Sequence, residues 1–280
     1  MRLGRLDWLR IPPIARHRAR WHHGWFGLDA RMSSLPVLNI SAYVFTPIHD
    51  TQALQQACLA QAHTRQLKGT ILIAEEGINL FLAGPLADVR AWVQWLQQDP
   101  RFATLAPKDS WSASQPFKKL LVKVKNEIIR MNHPTIQPQH GRAPAVTAAT
   151  LKRWLDQGHD DNGHPVVTLD TRNDFEVDAG AFQGAIDWRL TKFSEFPDAA
   201  QAHLHELQDK TVISYCTGGI RCEKAAIYLR ELGVEQVYQL DGGILKYFED
   251  VGSDHYKGDC FVFDERRGVH PDLSALKDEA

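Results

Sequence analysis

The feature that most constrains the fold is an apolar run that ends in a cysteine and leads through a glycine-containing loop into a helix. Residues 211–216 read TVISYC, residues 217–221 read TGGIR, and residues 222–233 read CEKAAIYLRELG. An unbroken apolar strand is typical of a parallel sheet covered on both faces. The helical pattern ends at Gly233, a residue type common just past the last helical turn. We therefore predict a strand–loop–helix unit of an α/β domain.

Two more apolar strands flank this unit, at 165–172 (PVVTLDTR) and 234–240 (VEQVYQL). Helical patterns alternate with them, and Thr147 is a plausible N-cap of the helix AATLKRWLD. Strands that alternate with helices indicate a parallel sheet with helices on both faces. We predict a doubly wound α/β domain over residues 146–255.

Residues 36–130 carry a different order of patterns. A strand, a helix, two strands around a Glu-Glu-Gly turn, a second helix and a closing strand follow one another. This β-α-β-β-α-β order is the split βαβ, ferredoxin-like arrangement. The patterns lie at 37–45, 51–66, 69–84, 86–96 and 118–129.

Three further segments complete the domain division. Three prolines within residues 131–145 indicate an extended linker, and residues 256–280 are predicted to form a C-terminal tail. Residues 1–35 are predicted to be a basic extension, because the first 31 residues hold seven Arg and two Asp. Such a composition could mark a transit peptide or a nucleic-acid-binding arm. We favour an extension from a misassigned start, since Met32 lies just before the first strand.

Composition excludes several classes of protein. The chain is 44% hydrophobic and 24% charged, as in soluble globular proteins. It has no run of about 18 apolar residues, so no membrane association is expected. The first residues lack the apolar core of a secretory signal, and we expect a cytoplasmic protein with reduced thiols. The net charge of −2 gives no global sign of nucleic-acid binding, and the sequence does not set the oligomeric state.

The cysteine at the end of the central strand is the candidate nucleophile. A strand–loop–helix turn aims backbone N–H groups and the helix dipole at one point, where they stabilise an anion. A thiolate there has a lowered pKa. A buried structural cysteine is the alternative, but the Gly-Gly-x-Arg continuation favours a reactive Cys216. The loop residues expected to bind an anion are Thr217, Gly218, Gly219, Ile220 and Arg221.

The remaining cysteines and cofactor motifs suggest no resident cofactor. Cys58, Cys216, Cys222 and Cys260 include no C-x2-C pair, so no zinc site is predicted. The chain has no G-x-G-x-x-G, P-loop or H-E-x-x-H motif, so no nucleotide or metal cofactor is indicated. Cys222 could be a resolving thiol for Cys216, but we favour a small buried residue.

Several motifs resemble a known family. The loop, with DTRNDFE (170–176) and LDGGI (240–244), resembles rhodanese domains. Phosphatases of that superfamily have Cys-x5-Arg, whereas this chain has the shorter Cys-x4-Arg that suits a persulfide sulfur. Together with AEEGIN (74–79), VKVKNEII (122–129) and GDCFVFDERRGV (258–269), the loop looks like that of the tRNA uridine(34) hydroxylase family.

The resemblance implies a reaction and a partner. The family hydroxylates the wobble uridine of tRNA to 5-hydroxyuridine with molecular oxygen as co-substrate, and its essential cysteine corresponds to Cys216. The expected partner is the anticodon stem-loop of tRNA. In rhodanese domains the residues that match Asp170 and Arg172 support the active loop by ion pairing, and we expect the same support here. Ala181 stands where many rhodanese domains have His, so no general base is assigned there.

Five further residues are possible substrate contacts. Glu76 and Asn79 occupy the predicted turn of the first domain, where hairpin structure is an equal alternative. Lys123 and Lys125 share one face of a predicted strand and could bind RNA phosphate, or be merely solvated. Lys224 lies in the first turn of the helix after the loop, where charged residues are also ordinary.

Two other functions compete with tRNA hydroxylation. The chain could be a sulfurtransferase that carries a persulfide on Cys216, or a non-enzymatic binding module with a rhodanese fold. The intact Cys216 and Arg221 count against a pure binding module. Nucleoside analysis of cellular tRNA separates the two enzymatic alternatives.

Overall fold

The computed structural model describes residues 37–276. Its first domain is a five-stranded sheet with two helices. The strands are β1 (Val37–Phe45), β2 (Lys68–Ala74), β3 (Gly77–Gly84), β4 (Lys108–Ser112) and β5 (Leu120–Val124). The helices are α1 (Thr51–Thr64) and α2 (Leu86–Gln97). The strand order is β4-β1-β3-β2-β5, antiparallel except for the parallel pair β2 and β5.

The alternation of β1 gives the sheet two different faces. Leu38, Ile40 and Ala42 are buried in the core that the two helices cover. The residues between them point to the opposite face, because side chains alternate along a strand. Asn39 and Ser41 therefore lie on the face away from the helices, and both line the cavity described below.

The prediction of a closing strand at 118–129 is wrong in position and length. The strand that completes the ferredoxin-like pattern beside β1 is β4, and only Leu120–Val124 of the predicted segment is a strand. The strand Leu120–Val124 is β5, which lies at the edge of the sheet opposite β4. The misassignment has a physical reason: β4 reads KDSWS, a short polar stretch without the apolar content expected of a strand.

The second domain is a five-stranded parallel sheet with helices on both faces, as predicted. Its order is β6-β11-β10-β7-β9. The strands are β6 (Ala145–Val146), β7 (Val166–Asp170), β9 (Ile186–Asp187), β10 (Thr211–Tyr215) and β11 (Val237–Leu240). The helices are α3 (Ala148–Gln157), α4 (Asp174–Ala179), α5 (Phe196–His203), α6 (Ile220–Glu231) and α7 (Gly243–Val251). Thr147 caps α3 as expected, accepting a hydrogen bond from the Thr150 N–H at 3.1 Å.

Each face of this sheet has its own core. The α3 and α7 side chains pack with Ile213 and Tyr215 of β10 on one face. The α5 and α6 side chains pack with Val212 of β10 on the other face. Side chains of β10 thus face two apolar layers, which explains why the whole strand is buried.

The segments assigned to a linker and a tail pack against the second domain. Met131, Ile136 and Ala143 of the linker are buried in the core beside α5 and α6. In the tail, β12 (Tyr256–Gly258) pairs with β8 (Gly180–Phe182), and β13 (Cys260–Phe261) pairs with β14 (Gly268–Val269). Residues 1–36 and 277–280 lie outside the described residues, and so does the predicted basic extension. Within residues 37–276, no helix has the length and apolar character needed to cross a bilayer.

Candidate active site

Cys216 lies at the end of β10, immediately before the loop that leads into α6, and its side chain is fully buried. The Gly219 N–H donates a hydrogen bond to Cys216 Sγ at 3.2 Å. Burial raises the pKa of the Cys216 thiol, but a hydrogen bond from the Cys222 thiol, the charge of Arg221 and the amides of both residues lower that pKa to about 5. Cys216 is therefore a thiolate at neutral pH, the form that acts as a nucleophile.

The other three cysteines are thiols. Burial raises the pKa of Cys58 and of Cys260 to about 12. Burial, together with the neighbouring Cys216, raises the pKa of Cys222 well above its ordinary value. The Cys222 sulfur also lies 3.1 Å from the Gly219 carbonyl oxygen, so its single S–H proton is shared between that oxygen and Cys216. Cys222 is thus a buried donor beside Cys216.

Two glycines fix the shape of the loop. Gly219 has φ +100°, in the region that favours glycine, and a Cβ there would lie 3.0 Å from Tyr43 Oη. Gly243 has φ +67°, and a Cβ there would lie 2.4 Å from the Cys216 carbonyl oxygen. The Ile244 and Leu245 N–H groups donate to the carbonyls of Cys216 and Thr217 at 3.0 and 3.1 Å. The turn at 241–243 is therefore a structural support of the loop.

The Arg221 guanidinium forms a buried ion pair with Glu176. Its two terminal nitrogens donate to both carboxylate oxygens of Glu176, at 2.5 and 2.7 Å, and both side chains are buried. Burial raises the pKa of Glu176, but the charge and hydrogen bonds of Arg221 outweigh burial and lower it. This ion pair holds the Arg221 charge at a fixed position near Cys216. Arg221 also lines the cavity described below, so its binding of an anionic substrate stays a prediction.

Asp170 and Arg172 hold the segment that carries Glu176. Arg172 is fully buried, and it donates to Asp170 at 3.0 and 2.7 Å. Its guanidinium also donates to the carbonyls of Glu176 and Gly180, at 3.2 and 2.6 Å. These contacts tie β7 to the middle of α4 and to the residue that follows its end. Glu176 of α4 in turn holds Arg221 in the first turn of α6.

Glu76 and Lys224 join the two domains and do not line the Cys216 cavity. The Lys224 ammonium is 1% exposed and lies 2.8 Å from Glu76 and 2.8 Å from Glu127. It also donates to the Ile129 carbonyl at 3.0 Å. Glu76 accepts from the Ile128 N–H at 2.7 Å. The polar atoms of Lys224 and Glu76 are thus engaged within the protein, and substrate contact by these two residues stays a prediction.

Of the other three candidate substrate contacts, one lies at the cavity of Cys216 and two lie away from it. Asn79 is buried, donates to the Ile128 carbonyl at 3.2 Å, and lines the cavity at Cys216. Lys123 and Lys125 are exposed at β5, the edge of the first sheet opposite β4. Neither lysine lines that cavity.

The cavity at Cys216 lies between the two domains. Side chains of both domains and of the C-terminal segment line it. The second domain contributes Cys216, Thr217, Gly218, Ile220 and Arg221. The polar face of the first sheet contributes Asn39, Ser41, Tyr43, Asn79, Lys108 and Ser110. The C-terminal segment contributes Val262, Phe263, Asp264 and Arg266.

Several of these side chains are not evident from the sequence. Lys108 lies on the strand that the sequence pattern missed, and burial lowers its pKa while the nearby Cys216 charge opposes that shift. Tyr43 donates to Glu223 at 2.9 Å across the domain boundary, and Arg142 donates to the same carboxylate at 2.7 Å. Glu176 had a usable signal, since it belongs to the DTRNDFE motif that carries the resemblance. No group of three or more His, Cys, Asp or Glu side chains within residues 37–276 is arranged to hold a metal ion.

Comparisons with known proteins agree with this two-domain architecture. Residues 37–128 match the UPF0176 acylphosphatase like domain, and residues 147–250 match the rhodanese-like domain. The solved rhodanese-like domain of the Anabaena sp. Alr3790 protein is 23% identical, with 41% of this chain and 79% of that chain covered and a TM-score of 0.34.

Full-length relatives cover both domains. The tRNA uridine(34) hydroxylase of Delftia acidovorans is 66% identical over 238 residues, which cover 85% of this chain and 90% of the relative. The protein of the same name from Variovorax paradoxus is 62% identical over 244 residues, 87% of this chain and 93% of the relative. Since this similarity spans both walls of the cavity at Cys216, the chain belongs to the tRNA uridine(34) hydroxylase family.

Proposed function

We propose that this protein hydroxylates the wobble uridine of tRNA at C5, giving 5-hydroxyuridine, and that Cys216 is its nucleophile. The observation that carries the proposal is a stabilised thiolate facing a cavity between two domains, in a chain of this family. The cavity is lined by both polar and apolar groups, as a nucleobase requires.

A thiolate is suited to activate uracil for hydroxylation. Carbon C5 of uracil must become electron-rich before it can react with an oxidant. Addition of the Cys216 thiolate to C6 forms a sulfur–carbon bond and moves the C5–C6 electron pair toward O4, which gives an enolate with nucleophilic character at C5. After oxygen transfer to C5, loss of the C5 proton and departure of the thiolate restore the double bond.

The oxygen comes from molecular oxygen in this proposal. When one oxygen atom enters the C5–H bond and the other leaves as water, the reaction consumes two electrons from a reductant and two protons. The reductant is an external donor in our proposal, since no cofactor motif is evident in the sequence. The protein's part is to bind the base, raise the electron density at C5 and keep Cys216 ionised.

The target base must leave its stack to reach Cys216. In the anticodon loop this costs little, because the bases there are unpaired. Asn39 supplies one feature that fits uracil: its Oδ1 is buried without a hydrogen-bond partner among the described residues, and the residue lines the cavity. The N3–H of uracil is a donor that such an acceptor would satisfy.

Binding of the anticodon stem would involve other parts of the protein. Lys123 is exposed on the edge strand β5 and Lys125 is exposed just past its end, where both would contact backbone phosphates. These lysines do not line the cavity, so their contribution would be affinity rather than chemistry. A tRNA substrate also makes the cytoplasm the place of action.

A persulfide-carrying sulfurtransferase is the competing function, since the same N–H groups could hold a persulfide on Cys216. Nucleoside analysis of tRNA from a strain that lacks the gene tests the proposal. We expect 5-hydroxyuridine and its derivatives at the wobble position to disappear, and to return with the wild-type gene but not with Cys216→Ser. Retention of 5-hydroxyuridine together with a loss of thiolated nucleosides would overturn hydroxylation in favour of sulfur transfer.

A further inference from the structure

Three phenylalanine rings form an aromatic cluster on the surface: Phe175, Phe261 and Phe263. The ring centroids of Phe175 and Phe261 are 5.1 Å apart, those of Phe261 and Phe263 are 5.2 Å apart, and those of Phe175 and Phe263 are 6.2 Å apart. All three pairs have the edge-to-face geometry that aromatic rings favour. The cluster is therefore an ordered apolar surface.

Two of these rings are exposed to solvent. Phe175 is 45% exposed and Phe263 is 52% exposed. In the part of the chain that the structure describes, only Leu59 and Leu86 are large apolar side chains of similar exposure. Two exposed phenylalanines in contact with each other are a feature that core packing does not require, and such patches mark binding surfaces.

The cluster adjoins the candidate active site. Phe263 lines the cavity that contains Cys216, and its ring centroid lies 5.9 Å from the Arg221 guanidinium carbon. Phe175 directly precedes Glu176, the partner of Arg221. The aromatic surface therefore continues the cavity wall outward, beyond the point where a bound base would reach Cys216.

We infer that the aromatic cluster stacks against an unpaired nucleobase next to the uridine that enters the cavity. This inference rests on the proposed function. A nucleotide turned out of its stack leaves its neighbours with an uncovered π-face, and aromatic side chains cover such faces in proteins that bind single-stranded RNA. The cluster is suited to this role because two of its rings are exposed and Phe263 also lines the cavity. Stacking against RNA would also be the function of the CFVFDER segment, residues 260–266, which contains Phe261 and Phe263.

Binding of a 17-nucleotide anticodon stem-loop RNA tests the inference without need of the electron donor. The probe carries 2-aminopurine next to the wobble uridine, since the fluorescence of this base is quenched by stacking. We expect Phe263→Leu and Phe175→Leu each to weaken binding about tenfold and to reduce the quenching on binding. Phe263→Trp should keep the RNA affinity and the quenching of the wild type, because it retains an aromatic face.

Two controls separate stacking from structural damage. Leu59→Ala removes an equally exposed apolar side chain on α1 and should leave binding unchanged. Phe175→Leu does not alter the cavity wall, so its ultraviolet thiolate titration should match that of the wild type. Unchanged RNA affinity and unchanged quenching in both leucine variants would overturn the inference.

Other outcomes are equally informative. A wild-type dimer that dissociates in the leucine variants, with RNA affinity unchanged, would assign the cluster to a contact between copies of the chain and would also overturn the inference. The proposed function fails separately, if tRNA from the deletion strain retains wobble 5-hydroxyuridine. If hydroxylation in cells is normal and neither leucine variant changes RNA affinity or quenching, only the stacking surface is refuted.

Discussion

Arg221 and Glu176 form a buried two-point ion pair, with nitrogen–oxygen distances of 2.5 and 2.7 Å, that joins the loop of Cys216 to α4. This pair places a positive charge near the thiolate without leaving that charge unpaired in the interior. Asp170 and Arg172 extend the network by fixing α4 against β7. The anion stabilised here is therefore the protein's own thiolate.

Loss of Arg221 should lower the stability of the fold and raise the pKa of Cys216. Arg221→Ala leaves the Glu176 carboxylate buried without its partner, and we expect the free energy of unfolding to fall by about 3–5 kcal/mol. The pKa of Cys216 should rise, because a cation that lowers it is gone. Urea denaturation measures the first effect, and absorbance of the thiolate at 240 nm measures the second.

Two matched variants sharpen this prediction. Glu176→Gln removes the carboxylate but retains the Arg221 charge, so it should destabilise the fold without raising the pKa of Cys216. Arg189→Ala breaks exposed ion pairs with Asp178 and Asp187 and should lower the free energy of unfolding far less than Arg221→Ala. An Arg221→Ala protein as stable as Arg189→Ala would refute the buried pair.

The low pKa of Cys216 should make stability depend on pH in a defined direction. The folded pKa is about 5, below the value of about 8.5 for an unfolded cysteine, so the unfolded chain binds more protons between these pH values. The contribution of Cys216 to stability is therefore full above about pH 8.5 and is lost as the pH falls toward 5.

Urea denaturation of wild type and Cys216→Ser measures this contribution. The difference in their free energies of unfolding should grow with pH between about 5.5 and 8, by at most about 1.4 kcal/mol per pH unit. Absorbance at 240 nm should show one thiolate titrating near pH 5 in wild type only. A constant stability difference, with titration near pH 8.5, would contradict the stabilised thiolate.

Lys224 should act as a structural residue between the domains. Lys224→Met leaves Glu76 buried without its cation, and we expect a loss of about 3–5 kcal/mol in the free energy of unfolding. Lys123→Ala is the matched control, since this exposed lysine should change stability by no more than about 0.5 kcal/mol. If Lys224→Met were as stable as the control and weakened only RNA binding, the structural role would be wrong.

The edge-strand lysines should affect RNA affinity through charge alone. Lys123→Ala combined with Lys125→Ala should weaken tRNA binding and reduce the slope of log affinity against log salt by about 1 to 2, because each lost phosphate contact lowers the slope by nearly one. Filter binding at four salt concentrations measures this slope. An unchanged slope would show that this strand face is only solvated.

The sequence predicts best what is local. The strand, the glycine turn and the helix around Cys216 are contiguous, so their chemistry could be recognised from residues 211–233 alone. The same holds for the Thr147 cap and for the alternation of strands and helices. Each of these features depends on backbone preferences and apolar periodicity within about 20 residues.

The sequence predicts poorly what depends on distant partners. Glu176 lies 45 residues from Arg221, and Glu76 lies 148 residues from Lys224, so neither ion pair has a local signal. The residues around Arg221 give no sign that it is paired with Glu176. The polar strand at Lys108–Ser112 was missed for a related reason: pairing with β1 gives it strand structure, whereas its own composition does not.

The central claim is that the Cys216 thiolate adds to C6 of the wobble uridine. The most direct test is anticodon stem-loop RNA with 5-fluorouridine at that position, incubated with active enzyme under turnover conditions. Fluorine cannot leave C5 as the proton does, so a covalent protein–RNA complex should accumulate on denaturing gels, with the RNA mapped to Cys216 by peptide mass. Cys216→Ser should abolish the complex, and Cys222→Ser should retain it. Active enzyme that hydroxylates uridine yet forms no such complex would contradict addition at C6 and favour oxygen delivery by an oxidised sulfur on Cys216.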